Sequence, residues 1–303
     1  MLFRSAFLKV QDGCDNRCTF CITAIARGPA RSRPIVEVLA DARAALAGGT
    51  REIVLSGVHL GAWGQDFSSP LRLRNLVGAI LAETNVQRLR LSSLEPWDLD
   101  AEFFALWEDT RLCRHLHLPL QSGCAATLRR MARKTTPEKY AALLGAVRQV
   151  IPEVAITTDL IVGFPGESEA EFAASFDFVG AMNFAGGHAF SYSARPGTAA
   201  ARMPEQIPHP VRKERNAQMR SAIAQSASAY RSRYLGQTLP VLWESVVNMT
   251  PQGWQLSGLT DNYLRVKAHA ERPLWNEITA VHLAAITDDG FDGTIIGENH
   301  DHE

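Results

Sequence analysis

A chain of 303 residues, 46% hydrophobic and with a formal net charge of −1, can bury a large core and divides most naturally into one large globular domain and one small one. No apolar stretch approaches the roughly 20 residues of a membrane-crossing helix, and Met1–Val10 is too short and too broken by charge for a secretory signal, so the expectation is a cytoplasmic protein with no membrane partner. The charge is uneven: residues 234–303 hold Arg265, Lys267 and Arg272 against ten Asp/Glu, a net of −7, which leaves +6 on the remainder and places any attraction for nucleic acid there.

In chain order, the pattern predicts a strand at Ala6–Gln11, a helix at Ile35–Ala47, a strand at Glu52–Ser56 and a helix at Leu71–Glu83. A strand at Arg88–Ser92, a helix at Ala101–Glu108 and a strand at His115–Leu118 follow. Helices at Ala125–Arg133 and Pro137–Val150, a strand at Val154–Val162, a helix at Glu169–Met182 and a strand at Gly187–Tyr192 complete the run. Pro34 and Pro137 suit first-turn positions, and Ser168 with Glu171 fits a capping box. Six β/α units predict an α/β fold, an incomplete (β/α)6 barrel with functional groups at the carboxyl ends of its strands. A polar helix over Val211–Tyr234 is expected to lead away from that barrel. Short segments at Leu239–Ser245, Trp254–Leu259, Tyr263–Val266, Ile278–Ala285 and Gly293–Ile296 then predict a small antiparallel β-barrel of the oligonucleotide-binding type. The expected domains are therefore 1–233 and 234–303.

Three of the five cysteines lie within eight residues, in Gln11-Asp-Gly-Cys14-Asp-Asn-Arg-Cys18-Thr-Phe-Cys21, directly after the first predicted strand. An odd, clustered set is a poor disulfide framework and points to metal. The C-x3-C-x2-C spacing lets one loop give three thiolates to three irons of a [4Fe–4S] cube, leaving the fourth iron open to chelate a substrate. Cluster potentials reach about −700 mV, the reducing end that cleavage of a sulfonium requires. A structural zinc site is the competing reading. It needs a fourth ligand, which a distant His or Cys113 would have to return to supply.

The cysteine segment resembles that of the radical S-adenosylmethionine superfamily, in which the open iron binds the cosubstrate and an electron releases a 5′-deoxyadenosyl radical. Further segments narrow the resemblance: Ala26–Arg33, Glu52–Gly61, Leu91–Pro96, His117–Gly123, Thr158–Glu167 and Tyr192–Thr198. Together they are similar to the methylthiotransferases, and Gly57–Gly61 and Ser92–Pro96 most resemble the branch acting on threonylcarbamoyladenosine beside the tRNA anticodon. The resemblance implies one [4Fe–4S] cluster on Cys14, Cys18 and Cys21, S-adenosylmethionine as cosubstrate, and the tRNA anticodon stem-loop as partner. It further implies an electron donor such as flavodoxin or ferredoxin, and a TRAM domain over residues 234–298.

Roles for single residues follow from the same resemblance, each beside a plainer alternative. Phe20 stands where the family's aromatic residue lies near adenine, or simply packs the loop. Gly48-Gly49, with Thr50 in place of a glutamate, stand for the segment contacting the cosubstrate's amino group, or end a helix. Ser93 and Glu95 are candidates for its ribose or amino group, or for a cap or salt bridge. Asp159, in an apolar strand, faces the interior as a ligand contact or is a satisfied structural group. Arg27, Arg31 and Arg33 are candidates for tRNA phosphates, whereas Arg129, Arg130, Arg133 and Lys134 read as a solvated helix face. His59, His115 and His117 read as polar-network residues, and Cys113 and Cys124 as inert.

The family's N-terminal domain, with three further cysteines and a second cluster, has no counterpart in these residues. The expectation is a fragment, a chain paired with a separate cluster domain, or altered activity. Two further functional readings stay open: a radical enzyme acting on another substrate, such as a ribosomal protein side chain, and a catalytically silent RNA- or protein-binding module.

Overall fold

The computed structural model describes residues 5–251 and 253–297. The chain runs β1 (Ser5–Asp12), α1 (Thr23–Arg27), β2 (Arg31–Ser32), α2 (Ile35–Ala47), β3 (Glu52–Gly57), α3 (Leu73–Glu83), β4 (Arg88–Leu91), α4 (Ala101–Phe104) and β5 (His115–His117). It continues through α5 (Ala125–Arg130), α6 (Pro137–Val150), β6 (Ala155–Val162), α7 (Glu169–Ala181), β7 (Gly186–Ser191) and α8 (His209–Ser232). Strands β8 (Thr238–Thr250), β9 (Gly253–Thr260), β10 (Arg265–Ala270), β11 (Ile278–Ile286) and β12 (Phe291–Ile295) end it.

Six parallel strands form the predicted incomplete barrel. Sheet β2-β1-β3-β4 meets sheet β5-β6-β7 through a parallel bridge between Leu89 and Leu112, and no pairing between β7 and β1 closes the ring among the described residues. Alternation along the strands divides the residues between two faces. On β3, Ile53 and Leu55 point outward into the core, while Glu52 and Val54 line an internal cavity. Leu76, Val77 and Ile80 of α3, Leu144 and Val147 of α6 and Val179 of α7 cover the outside. The capping box of Ser168 with Glu171 forms as expected, and Thr136 caps α6 ahead of Pro137.

Three local expectations need correction. The helix expected over Ala125–Arg133 stops at Arg130, and Ala132 turns the chain at φ +54°. The short antiparallel strand β2 and the helix α1 were not foreseen. Helix α8 does not lead away from the barrel. A stripe of Met219, Ala222, Ile223, Ala227 and Tyr230 lies buried along it, and Asn216 and Ser226 donate hydrogen bonds to the carbonyls of Ala189 and Phe184. The outer face of β7 needs a cover, and this apolar stripe supplies it.

Strands β8 to β12 close a barrel in the order β10-β12-β11-β8-β9 around Trp243, Val241, Leu256, Val266, Val281 and Phe291. All neighbours are antiparallel except β10 and β12, correcting the purely antiparallel expectation. A closed ring with an odd number of strands cannot alternate direction throughout. The strand expected at Tyr263 begins instead at Arg265, because Tyr263 sits in a turn at φ +67°.

The small barrel docks under the amino ends of β3, β4 and β5. Arg88 donates to the carbonyls of Leu259 and Pro240 at 2.9 and 2.7 Å. Arg90, paired with Glu52, donates to the carbonyls of Asp261 and Thr260 at 3.0 and 3.2 Å. Arg114 holds the Asp261 carboxylate at 2.6 Å. The Tyr263 ring stacks on His115 with centroids 4.2 Å apart. Burial pushes His115 well below the usual histidine range, aided by the charge of Arg90, so this ring stays neutral against its tyrosine.

Candidate active site

Gly13 turns the chain out of β1 at φ +72°, where a Cβ would lie 1.9 Å from the Pro29 carbonyl oxygen; only glycine fits. The buried Gln11 amide donates to the carbonyls of Asp12 and Gly13 at 2.8 and 2.9 Å, and its oxygen accepts from the His59 amide at 2.8 Å. Cys14 N donates to Gly28 O at 3.0 Å, and Thr19 N to Met131 O at 3.1 Å. The cysteine loop is thereby pinned to α1, to the loop after β3 and to the end of α5. Cys14, Cys18 and Cys21 are all free and partly exposed at the carboxyl end of β1. Among the described residues no three His, Cys, Asp or Glu side chains converge on a single-ion site.

Each thiol has its own surroundings. Arg133, with 1% of its side chain exposed, donates from Nη1 to Cys18 Sγ at 3.7 Å and pairs with both Glu95 oxygens at 3.0 and 2.6 Å. Its guanidinium lies 4.6 Å over the Trp97 ring. Burial pushes the Cys18 thiol up, and Arg133 pulls it the other way. Beside Cys14, His59 is paired with Asp98 at 2.6 Å. Burial resists charging of the His59 ring, but the hydrogen bonds to Asp98 and Cys14 outweigh it and push its pKa up to about 9. Cys21 Sγ contacts the Thr23 hydroxyl at 3.1 Å.

A cavity of about 560 Å³ runs down the barrel interior from Ser92 and Ser93 past His117 and Asp159 to Tyr263. Polar groups are set among largely apolar walls. His117 contacts Thr157 Oγ1 at 3.0 Å and Asp159 Oδ2 at 3.4 Å. Asp159 Oδ1 and Ser92 Oγ are buried without partners, as expected of groups positioned for a ligand.

The expected residues separate accordingly. Glu95 is drawn to Cys18 through Arg133, and Asp159 and Ser93 line the cavity. All three histidines sit in hydrogen-bonded or ion-paired networks. Phe20 packs against the cluster of Met131, Phe164, Tyr192 and Ala200, so its packing role is evident. Gly48 and Gly49 are corrected outright. They precede β3 at its amino end, a strand length of about 16 Å from the cysteines, and Gly49 O accepts from Asn276 of the small barrel at 2.7 Å. Gly57, paired with Gln11 at the other end of β3, is the glycine beside the cysteine loop. Arg27 and Arg31 are exposed, but Arg33 is held by Glu37 and Asp41 at 3.6 and 2.8 Å. The second basic group is not a uniform solvated face: Arg133 is buried at the site and Arg130 is paired with Glu171.

The model of the Radical SAM superfamily matches residues 8–179. Among curated relatives, the chain is 37% identical over 92% of its length to "Threonylcarbamoyladenosine tRNA methylthiotransferase MtaB" of Bacillus subtilis, covering 62% of that protein. It is 34% identical over 97% of its length to "tRNA-2-methylthio-N(6)-dimethylallyladenosine synthase" of Maricaulis maris, covering 65% of it. The chain thus spans just under two thirds of these relatives. Solved structures share the fold. The radical S-adenosylmethionine methyltransferase TsrM from Kitasatospora setae aligns with a TM-score of 0.55 and 19% identity over 65% of this chain and 38% of its own. Coproporphyrinogen III oxidase (HemN) from Escherichia coli aligns with a TM-score of 0.53 and 14% identity over 92% and 66%. With a matching family model over more than half its length and three thiols at the carboxyl end of an open parallel barrel, this chain belongs to the radical SAM superfamily.

Proposed function

We propose that this chain is the radical and RNA-recognition part of a cytoplasmic methylthiotransferase acting on N6-threonylcarbamoyladenosine beside the tRNA anticodon. The observation that carries the proposal is the pinned loop of three free cysteines at the carboxyl end of the barrel strands, in a chain resembling tRNA methylthiotransferases along almost its whole length. Cys14, Cys18 and Cys21 would hold a [4Fe–4S] cluster, which when bound would supply the electron for reductive cleavage of S-adenosylmethionine. The chain's own residues do the rest. Glu95 and Arg133 fix Cys18, and His59 with Asp98 flanks Cys14. Ser92, Ser93 and Asp159 present polar atoms to whatever occupies the cavity. Residues 1–233 form the catalytic domain and 234–303 a TRAM-like barrel; residues 1–4, 252 and 298–303 of these ranges lie outside the described residues. Arg27 and Arg31 contact tRNA phosphates, and a flavodoxin or ferredoxin delivers the electron.

The test is mass spectrometry of tRNA nucleosides from a strain lacking the gene and from the complemented strain. Loss and recovery of the 2-methylthio derivative of threonylcarbamoyladenosine is the expected result. An unchanged nucleoside profile rejects this substrate.

A further inference from the structure

We infer that Arg133 is a positioning residue that sets the reduction potential of the cluster through Cys18; the inference rests on the cluster reading above. The guanidinium is held by three partners. Its Nη1 and Nη2 meet the two Glu95 oxygens, Nη2 also donates to Pro119 O at 2.6 Å, and the Trp97 ring lies against its face. Nη1 is thereby directed at Cys18 Sγ at 3.7 Å. Nε has no partner although it is buried. For simple anchoring of α5 this is an expensive arrangement, since a buried cation must be desolvated. For tuning a cluster it is well placed.

Reduction adds one negative charge that spreads onto the ligand sulfurs. A hydrogen-bond donor and a fixed positive charge at one sulfur stabilise the reduced form and raise the potential. Glu95 opposes this from the far side of the guanidinium, so the pair sets the potential by difference. Cys21 Sγ meets the Thr23 hydroxyl at 3.1 Å and accepts from the Thr23 amide at 3.4 Å, both neutral groups, which makes the field across the three thiols asymmetric.

Anaerobic reconstitution of wild type, Arg133→Gln and Glu95→Gln, followed by potentiometric titration read by electron paramagnetic resonance, tests the inference. Arg133→Gln is expected to move the potential to more negative values by at least about 59 mV, a tenfold change in a one-electron equilibrium. Glu95→Gln is expected to move it the opposite way. Loaded clusters with unshifted potentials in both variants overturn the tuning role while leaving the cluster itself intact. If Arg133→Gln does not fold, the sign of the Glu95→Gln shift decides: positive supports, zero or negative overturns. A wild-type chain that binds no iron instead overturns the cluster reading on which the inference stands.

Discussion

Gly13 shows how much of the site one small residue carries. Gly13→Ala would force a Cβ against the Pro29 carbonyl at a positive φ, a combination that destabilises by about 2 kcal/mol or more. The expected outcome is a lower urea midpoint together with iron per chain well below wild type; unchanged values of both would show that the loop tolerates the change. The cysteines themselves were legible because a metal loop is local, with its spacing written in eight consecutive residues. Arg133 was not. Its burial depends on Glu95, 38 positions earlier, and on a helix that stops at Arg130, so extending the helical face to residue 133 put the side chain in solvent. Gly48-Gly49 misled for a related reason. A helix-ending Gly-Gly looks the same at either end of a strand, and only the parallel register of β1 with β3 tells which end faces the cysteines.

Among the elements, the alternating β/α pattern made the six parallel strands readable, and the turn-rich tail made the small barrel readable. The seam between them was not, because it is built from strand-end arginines that look like ordinary surface charge. Asp261 is central to that seam. Burial alone would raise its pKa, but the Arg114 fork and the charges of Arg88 and Arg90 hold it below the ordinary carboxylate range. A carboxylate depressed in the folded state contributes stability that is present above its unfolded pKa, near 4, and is lost as pH falls through the folded value. Asp261→Asn should therefore lose about 3 kcal/mol at pH 7 and show a weaker loss of stability below pH 4 than wild type. Urea unfolding at pH 7 and at pH 3 checks both, and parallel acid profiles would remove Asp261 from the docking. Helix α8 was misplaced because its overall polarity hides a narrow buried stripe.

For the whole molecule, charge is divided between an acidic small barrel and a basic remainder, so the proposed attraction for RNA falls on the larger part. Arg27 and Arg31 are exposed near the cysteine loop, whereas Arg33 is neutralised by Glu37 and Asp41. Replacing Arg27 and Arg31 together by Ala should weaken tRNA binding and reduce the slope of log affinity against log salt by roughly 2, while Arg33→Ala changes the slope less. Equal slopes in all three proteins, measured by filter binding over a salt series, would exclude the loop from the RNA interface. The claim on which everything else depends is that three thiolates leave one iron open to a sulfonium cosubstrate. Electron paramagnetic resonance of the reduced, anaerobically reconstituted chain, with and without S-adenosylmethionine, tests it most directly. The prediction is about four irons per chain and a spectrum that changes when the cosubstrate is added, both lost in Cys18→Ala. Zinc in place of iron, or a cluster spectrum indifferent to S-adenosylmethionine, would contradict it.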